Sequence, residues 1–452
     1  MKLIKNNLTN LVIFMIVLIS VWLRATWYGD LKLSIANAET DSYINSSKNS
    51  IFSWKIFAGQ RLFTTNLIYK LTNESEDCPI TAYGKPGIGQ EDIRDIQLCF
   101  DEIILFQNIV AIFGWALLAW TTAKWVQNPF IKVIAAGLIL LFGFTPQIAE
   151  WDSILTPESL SLSMFAITLS LAQETAFRIA RVGNPFSTRN EKLLLIGWLL
   201  LFLLWVFVRD VHLYAIPVTL ALLVLLFLLK EFRNTKNIFL ASTILFVMFV
   251  IGFVSARDSL RATRYPLINA LDAYIWPYPQ RVDYFKSFGM PERTAPNYQD
   301  WADINASKAY GLFLLSHPGF VATTLWENLD QLTSDFVQPY FITPEVQHRE
   351  TLLIIGKILH PETPSIYLIS AIILLALVVQ AIQFREPSLI SWAWLAIWFL
   401  SIAAVTLFLS FFGDTAGTRR HIMPSVEMIR LFLWVFLIPF LDLSLKQLKQ
   451  TE

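Results

Sequence analysis

Thr40-Asp41-Ser42-Tyr43 lies just past an apolar run, Leu11 to Leu23, near the start of a 452-residue chain. An acid at that point sits close to a membrane surface, on the side away from the cytoplasm. A carboxylate held there can take the proton of an acceptor hydroxyl as that hydroxyl forms a new bond. Asp41, with Glu39 beside it, is the first candidate for this work; the competing reading is an ordinary solvated loop acid. A second acidic set follows in Glu150-Trp151-Asp152 and Thr156-Pro157-Glu158. Asp152 and Glu158 are candidates for the same chemistry. Pro157-Glu158 suits the first turn of a helix equally well, because negative charge complements the helix dipole there.

Cations stand at comparable positions. Arg209-Asp210 interrupts a nearly continuous apolar stretch from Leu193 to Leu229, with His212 close behind. The pair either neutralises itself at a helix turn or offers Arg209 to a phosphate, where a guanidinium forks onto two oxygens. Arg257, Arg261 and Arg264 have spacings that place them on one helical face. Such a face holds anionic headgroups or grips a lipid-linked phosphate. Arg419-Arg420-His421 closes the short turn Gly413 to Thr418, and of all the cations Arg419, Arg420 and His421 best fit an anionic substrate group. Snorkelling at the interface is their bland alternative. Asp41, Asp152 and Glu158 also offer oxygen ligands suited to Mg2+ or Mn2+. No HExxH motif and no paired His/Cys spacing occurs.

These residues must be positioned by membrane helices. The chain is 55% hydrophobic and only 15% charged, against about a quarter in soluble domains. The fold class expected is an all-α integral membrane bundle, one polytopic domain over 1–452. About ten spans are read, near 9–24, 101–121, 130–146, 157–175, 192–208, 211–230, 237–255, 364–383, 388–411 and 426–444. Lys2, Lys5, Lys124, Lys132, Arg178, Arg181, Arg189, Lys192, Lys230, Arg233, Lys236, Lys446 and Lys449 then share one side. Short loops rich in Lys and Arg mark the cytoplasm, so both termini are placed there, with the inner membrane of a bacterium as the expected location.

Two long connections, 25–100 and 256–363, fall on the other side. The first mixes Phe52, Trp54, Phe57 and Phe63 with polar residues, the pattern of an interfacial helix. In the second, Gly311 to Leu325 is short and broken by His317-Pro318, which reads as interfacial or re-entrant. Cys78 and Cys99 are the only cysteines and both lie in the first connection. In an oxidising compartment they are expected to pair. There is no P-loop and no glycine-rich nucleotide fingerprint, and nothing points to nucleic acid. The substrates are expected on the side of the long loops, among membrane lipids.

With Asp41, Asp152, Glu158, Trp205 to Asp210, Arg420-His421 and the large loop 256–363 in view, the chain resembles the GT-C superfamily of membrane glycosyltransferases. Protein O-mannosyltransferases and bacterial aminoarabinose transferases belong to it. The resemblance implies inverting transfer of a sugar from a polyprenyl-phosphate donor to an extracytoplasmic glycan, lipid or protein acceptor. It implies the first-loop carboxylate, Asp41, as base. Many members carry Asp-Glu in that loop; this chain has Asp41-Ser42. Two other classes share parts of the pattern: an O-antigen polymerase or ligase, and a non-enzymatic lipid or solute transporter. Transporters place charged sites near mid-membrane, whereas these charges cluster at one surface. Single cysteines introduced near Asn73 and Asn305 should react with an impermeant thiol reagent from outside, and one near Arg233 should not. Labelling at Arg233 in intact cells would reverse the assignment of sides.

Overall fold

The computed structural model describes residues 2–73, 78–80, 97–181, 188–228, 232, 235–261, 263–340 and 347–451. Among these residues the fold is helical and has no strand. A single bridge joins Ile35 to Ile154. Lys230 and Arg233, used above to assign sides, lie outside the described residues.

The chain opens with α1 (Lys2–Trp27), followed by two short helices, α2 (Thr40–Ser47) and α3 (Phe63–Thr72). Next come α4 (Asp101–Trp125), α5 (Pro129–Phe144) and α6 (Glu158–Arg181). The pair α7 (Arg189–Val206) and α8 (Ala215–Leu226) precedes α9 (Lys236–Asp258). In the second long connection lie α10 (Ser307–Ser316), α11 (Pro318–Glu327) and α12 (Arg349–Leu359). Three long helices finish the chain: α13 (Ser365–Phe384), α14 (Pro387–Gly413) and α15 (Thr418–Thr451).

Among the described residues seven helices are long and apolar enough to cross a membrane, or eight if α5 and the segment Pro146–Ser153 count as one span bent by 51°. The sequence reading had two more. One is α7, whose first turn carries Arg189, Glu191 and Lys192; Thr188 and Glu191 form a capping box there. The other is α8, only 12 residues long. At about 1.5 Å per residue it covers about 18 Å, short of the ~30 Å hydrocarbon core.

Helices α4, α5 and α6 pack side by side, α14 and α15 pair with each other and with α6, and α1 lies on α5. The face of α1 away from that contact is apolar and exposed, with Trp22 63% and Leu11 57% accessible. An exposed apolar stripe of this kind meets lipid. Cys78 and Cys99 are disulfide-bonded and pack against the main core.

The second connection builds a small core of its own around Leu271, Phe285, Trp301 and Phe313. It is fastened to the turn between α14 and α15. Tyr310 Oη donates to Phe412 O at 2.9 Å, and Asn269 Nδ2 donates to Asp414 Oδ1 at 2.9 Å. Helices α10 and α11 are ten residues each and meet at His317-Pro318, so neither spans.

The most extensive helix contact is between α4 and α6, and it brings their backbones close. A Cβ on Gly114 would lie 2.6 Å from the backbone oxygen of Ser163. Only a small residue lets two backbones approach so closely in a membrane. Gly114→Ala should therefore lower the thermal unfolding temperature in detergent, by the ~1–3 kcal/mol typical of overpacking. Gly137→Ala on α5, where a Cβ meets nothing within 4 Å, should be neutral or stabilising. Equal effects of the two changes would show that the α4–α6 contact does not limit stability.

Candidate functional site: a buried guanidinium–carboxylate cluster

Four chain segments converge where several helices end together. The first is the start of α6, where Glu158 sits in the opening turn and is only 1% exposed. The second is the break between α7 and α8. There Arg209 is extended, with φ −140° and ψ 146°, so the chain stops being helical at the residue that carries the charge. The third is the start of α15. Gly417 has φ +69°, a conformation glycine tolerates best, and Arg420 N donates back to Gly417 O at 3.0 Å. The fourth is the segment from Glu39 to Arg61, which includes α2.

Hydrogen bonds to the ends of helices hold the fourth segment in place. Thr64 Oγ1 and Thr65 Oγ1 donate to Leu204 O at 2.7 Å and Val208 O at 3.1 Å, satisfying carbonyls left open where α7 ends. Arg261 Nη1 donates to Gly59 O at 2.7 Å while its Nε meets Asp210 Oδ1 at 3.0 Å. Ile35 N donates to Ser153 O and Leu155 N to Ile35 O, both at 2.9 Å, and this ties the first connection to the entrance of α6.

Glu158 Oε1 lies 3.6 Å from Arg209 Nη1 and 3.7 Å from Arg420 Nε. Both distances are ion-pair contacts beyond hydrogen-bond length. Among the described residues Glu158 Oε2 and Arg209 Nη1 have no hydrogen-bond partner. Arg209 Nη2 faces His421 Nδ1 at 3.0 Å, and His421 Nε2 lies 3.6 Å from Asp414 Oδ2. Arg420 also binds Glu39, which Arg61 Nη2 meets at 3.2 Å on its other oxygen. Arg61 in turn reaches Ser42 Oγ at 2.8 Å and Tyr43 Oη at 3.1 Å. Burial pushes the Glu39 carboxyl up, but Arg420, Arg61 and His421 outweigh it and hold it below its ordinary 4.5. The Glu39 pairing is therefore intact above that value and is lost as pH falls through the lowered one.

Asp152 is placed differently. Arg24 Nη2 meets its Oδ2 at 2.7 Å and also donates to Ala149 O at 2.8 Å, while Ser159 Oγ donates to Oδ1 at 2.5 Å. Arg24 and Asp152 are both buried. Sequence reasoning passed over Arg24, although a charge in the last turn of an apolar run is a signal that something must meet it. Arg61 was missed as well; its only mark is a charge inside the aromatic stretch from Phe57 to Phe63.

Asp41 lies next to this network on α2 and its side chain is exposed. Arg261 joins through Asp210, whereas Arg257 is exposed on the last turn of α9. The single helical face expected for Arg257, Arg261 and Arg264 is not formed. The helix ends at Asp258 and Leu260 takes φ 53°, so the three residues leave in different directions. Arg419 is exposed and donates to Asp335 O. His212 is buried, stacks on Trp205 and meets Ser161 Oγ at 3.0 Å, a packing role.

The three carboxylates offered to Mg2+ or Mn2+ do not share one cage. Asp152 is saturated by Arg24 and Ser159, Glu158 faces two guanidiniums, and Asp41 is exposed. Among the described residues no three His, Cys, Asp or Glu side chains converge on one point. The residues present do not fit a divalent ion held by these three.

No protein-family model and no curated protein matches the chain. Solved structures of the oligosaccharyltransferase AglB from Archaeoglobus fulgidus do. One, in complex with an inhibitory peptide and a dolichol-phosphate, is 14% identical with a TM-score of 0.45, covering 95% of this chain and 50% of that one. Another, in complex with Zn and sulfate, is 13% identical with a TM-score of 0.45, over 94% and 48%. The apo form is 13% identical at 0.42. The chain thus spans about half the length of the proteins it matches.

Arg24→Ala would leave Asp152 buried and unpaired, a loss of about 3–5 kcal/mol for such pairs. The expected outcome is a marked drop in thermal stability in detergent, with Arg24→Ala/Asp152→Ala recovering part of it. A double variant no better than the single would show that the pair is not what holds this corner together.

Proposed function

We propose that the protein is an integral membrane glycosyltransferase of GT-C type. It moves a sugar from a polyprenyl-phosphate donor to an extracytoplasmic acceptor. The observation that carries this reading is the half-buried pair Arg209 and Arg420 around the buried Glu158, with a guanidinium nitrogen and a carboxylate oxygen that have no hydrogen-bond partner among the described residues. Unsatisfied buried polar atoms cost about 1–3 kcal/mol each, and an anionic ligand relieves that cost at the guanidinium, whose N–H groups its oxygens accept.

In this reading the donor phosphate lies against Arg209, Arg420 and His421, with Arg261 and Arg257 nearer the surface. The acceptor hydroxyl attacks the anomeric carbon and gives its proton to Asp41. The bond from that carbon to the phosphate oxygen breaks, configuration inverts, and the polyprenyl phosphate leaves with its charge on the arginines. Glu158 keeps the two guanidiniums apart and oriented. Asp152, locked to Arg24, fixes the entrance of α6. The acceptor is a glycan, a lipid or a protein. With α7 and α8 counted, the bundle has about ten spans, with 25–100 and 256–363 outside and both termini in the cytoplasm of a bacterium.

Chemistry and binding separate by mutation. Asp41→Asn should leave binding of a polyprenyl-phosphate sugar nearly intact while slowing transfer by about 10²- to 10⁴-fold. Arg420→Ala should weaken donor binding by about 2–5 kcal/mol, the range for removing one partner of a buried charge pair. Glu39→Gln serves as the comparison, because it loosens Arg420 and keeps Asp41. Turnover near wild type in Asp41→Asn, with slowed transfer but unchanged donor binding in Glu39→Gln, would move the role of base to Glu39. Unchanged donor binding in Arg420→Ala would overturn the phosphate site itself.

A further inference from the structure

Among the described residues the Arg209 guanidinium makes one hydrogen bond, from Nη2 to His421 Nδ1 at 3.0 Å. Glu158 lies 3.6 Å from Nη1, which supplies charge but no directed bond. Nη1 itself has no hydrogen-bond partner among the described residues. A long arginine side chain has many rotamers, so a single directed contact decides where its free nitrogen points. At Arg209 that contact is His421.

The same contact fixes the protonation of the ring. A guanidinium carries five N–H donors and no acceptor. His421 Nδ1 must therefore present its lone pair to Arg209, and the ring proton sits on Nε2. Nε2 faces Asp414 Oδ2 at 3.6 Å, an electrostatic contact that favours the same tautomer. A second proton, on Nδ1, would remove the acceptor and set an imidazolium against a guanidinium. Asp414 is held in turn. Its Oδ1 accepts from Asn269 Nδ2 and from Ala416 N, both at 2.9 Å, and this leaves Oδ2 to face the ring. Thr415 Oγ1 donates to Asn269 O at 2.8 Å, and His421 N donates to Gly417 O at 3.3 Å. A chain of contacts thus runs from the second connection through Asp414 and His421 to Arg209.

We propose that His421 is a positioning residue for the donor: its neutral ring accepts from Arg209 and so aims Nη1 at the donor phosphate. With one nitrogen turned to Arg209 and the other to Asp414, the ring has no N–H left for a phosphate oxygen. It serves the phosphate through Arg209. This role rests on the reading of Arg209 as a phosphate ligand and adds the side chain that gives Arg209 its direction.

The test titrates farnesyl phosphate into the full-length protein in nanodiscs. Arg209→Ala is the reference and should weaken binding at least about tenfold. His421→Phe keeps a ring without an acceptor and should weaken binding about tenfold, the scale of one hydrogen bond to a charged group. His421→Asn sets an amide oxygen close to where Nδ1 stands and should recover binding to within about threefold of the wild type. In the Arg209→Ala background, His421→Phe should have no further effect. Asp414→Asn reads the same contact without touching the ring. Asn269 and Ala416 hold an oxygen at the Oδ1 position, so the new amide nitrogen replaces Oδ2 and turns a donor towards Nε2. That drives the ring proton to Nδ1, and binding should weaken. Should His421→Phe fail to fold, Asp414→Asn against the wild type decides. Wild-type binding in His421→Phe or Asp414→Asn, with weak binding in Arg209→Ala, would overturn this role and leave the phosphate site standing. A further loss from His421→Phe in the Arg209→Ala background would mean that the ring meets the ligand itself, and would overturn it too. Unchanged binding in Arg209→Ala would overturn the phosphate site and this role with it.

Discussion

A carboxylate buried at the end of a membrane helix is the constraint around which this structure is arranged. Glu158 is almost wholly enclosed, and an isolated charge at such a place is prohibitively costly. Its neutralisation comes from Arg209 and Arg420, both of which follow it in sequence, one in the α7–α8 break and one in the first turn of α15. Arg420 is itself steadied by Glu39, and Glu39 by Arg61. One buried acid thus requires four chain segments to meet. At this meeting point the first connection, the α7–α8 break and the last turn all have to agree.

The helix breaks serve the same end. An uninterrupted helix from α7 into α8 would carry Arg209 on a regular surface, with its backbone satisfied internally. Breaking the helix there leaves open carbonyls, and Thr64 and Thr65 reach across from α3 to satisfy them. A defect in one helix therefore becomes the anchor of another segment. The same logic holds at α15, where Gly417 turns the chain and sets Arg420 in the first turn. Irregular backbone at a membrane boundary is tolerated where other protein groups complete it.

Much of this was legible in the sequence. Long apolar runs gave the helical membrane bundle, and charges interrupting those runs singled out Asp152, Glu158, Arg209 and Arg420. Two kinds of information were not. Pairing across long separations is invisible to local pattern, so Arg24 and Arg61 were passed over while their partners were noticed. Where a helix ends depends on single backbone angles. The spacing of Arg257, Arg261 and Arg264 implied one face, but Leu260 in the left-handed region cut it. The span count depends on length: α8 is apolar throughout and still too short to cross alone.

Two buried carboxylates a few residues apart show how structure and function divide the same chemistry. Asp152 has both oxygens engaged by hydrogen bonds of 2.7 and 2.5 Å, from Arg24 and Ser159. Its charge is paired and each oxygen already has a donor. Glu158 has two guanidiniums at 3.6 and 3.7 Å and an oxygen with no hydrogen-bond partner among the described residues. Its cations are near enough to balance its charge and lie beyond hydrogen-bond length. A saturated pair resists change and makes a good fixture. An unsaturated one leaves polar atoms open, and that difference, more than the identity of the residues, separates Glu158 from Asp152.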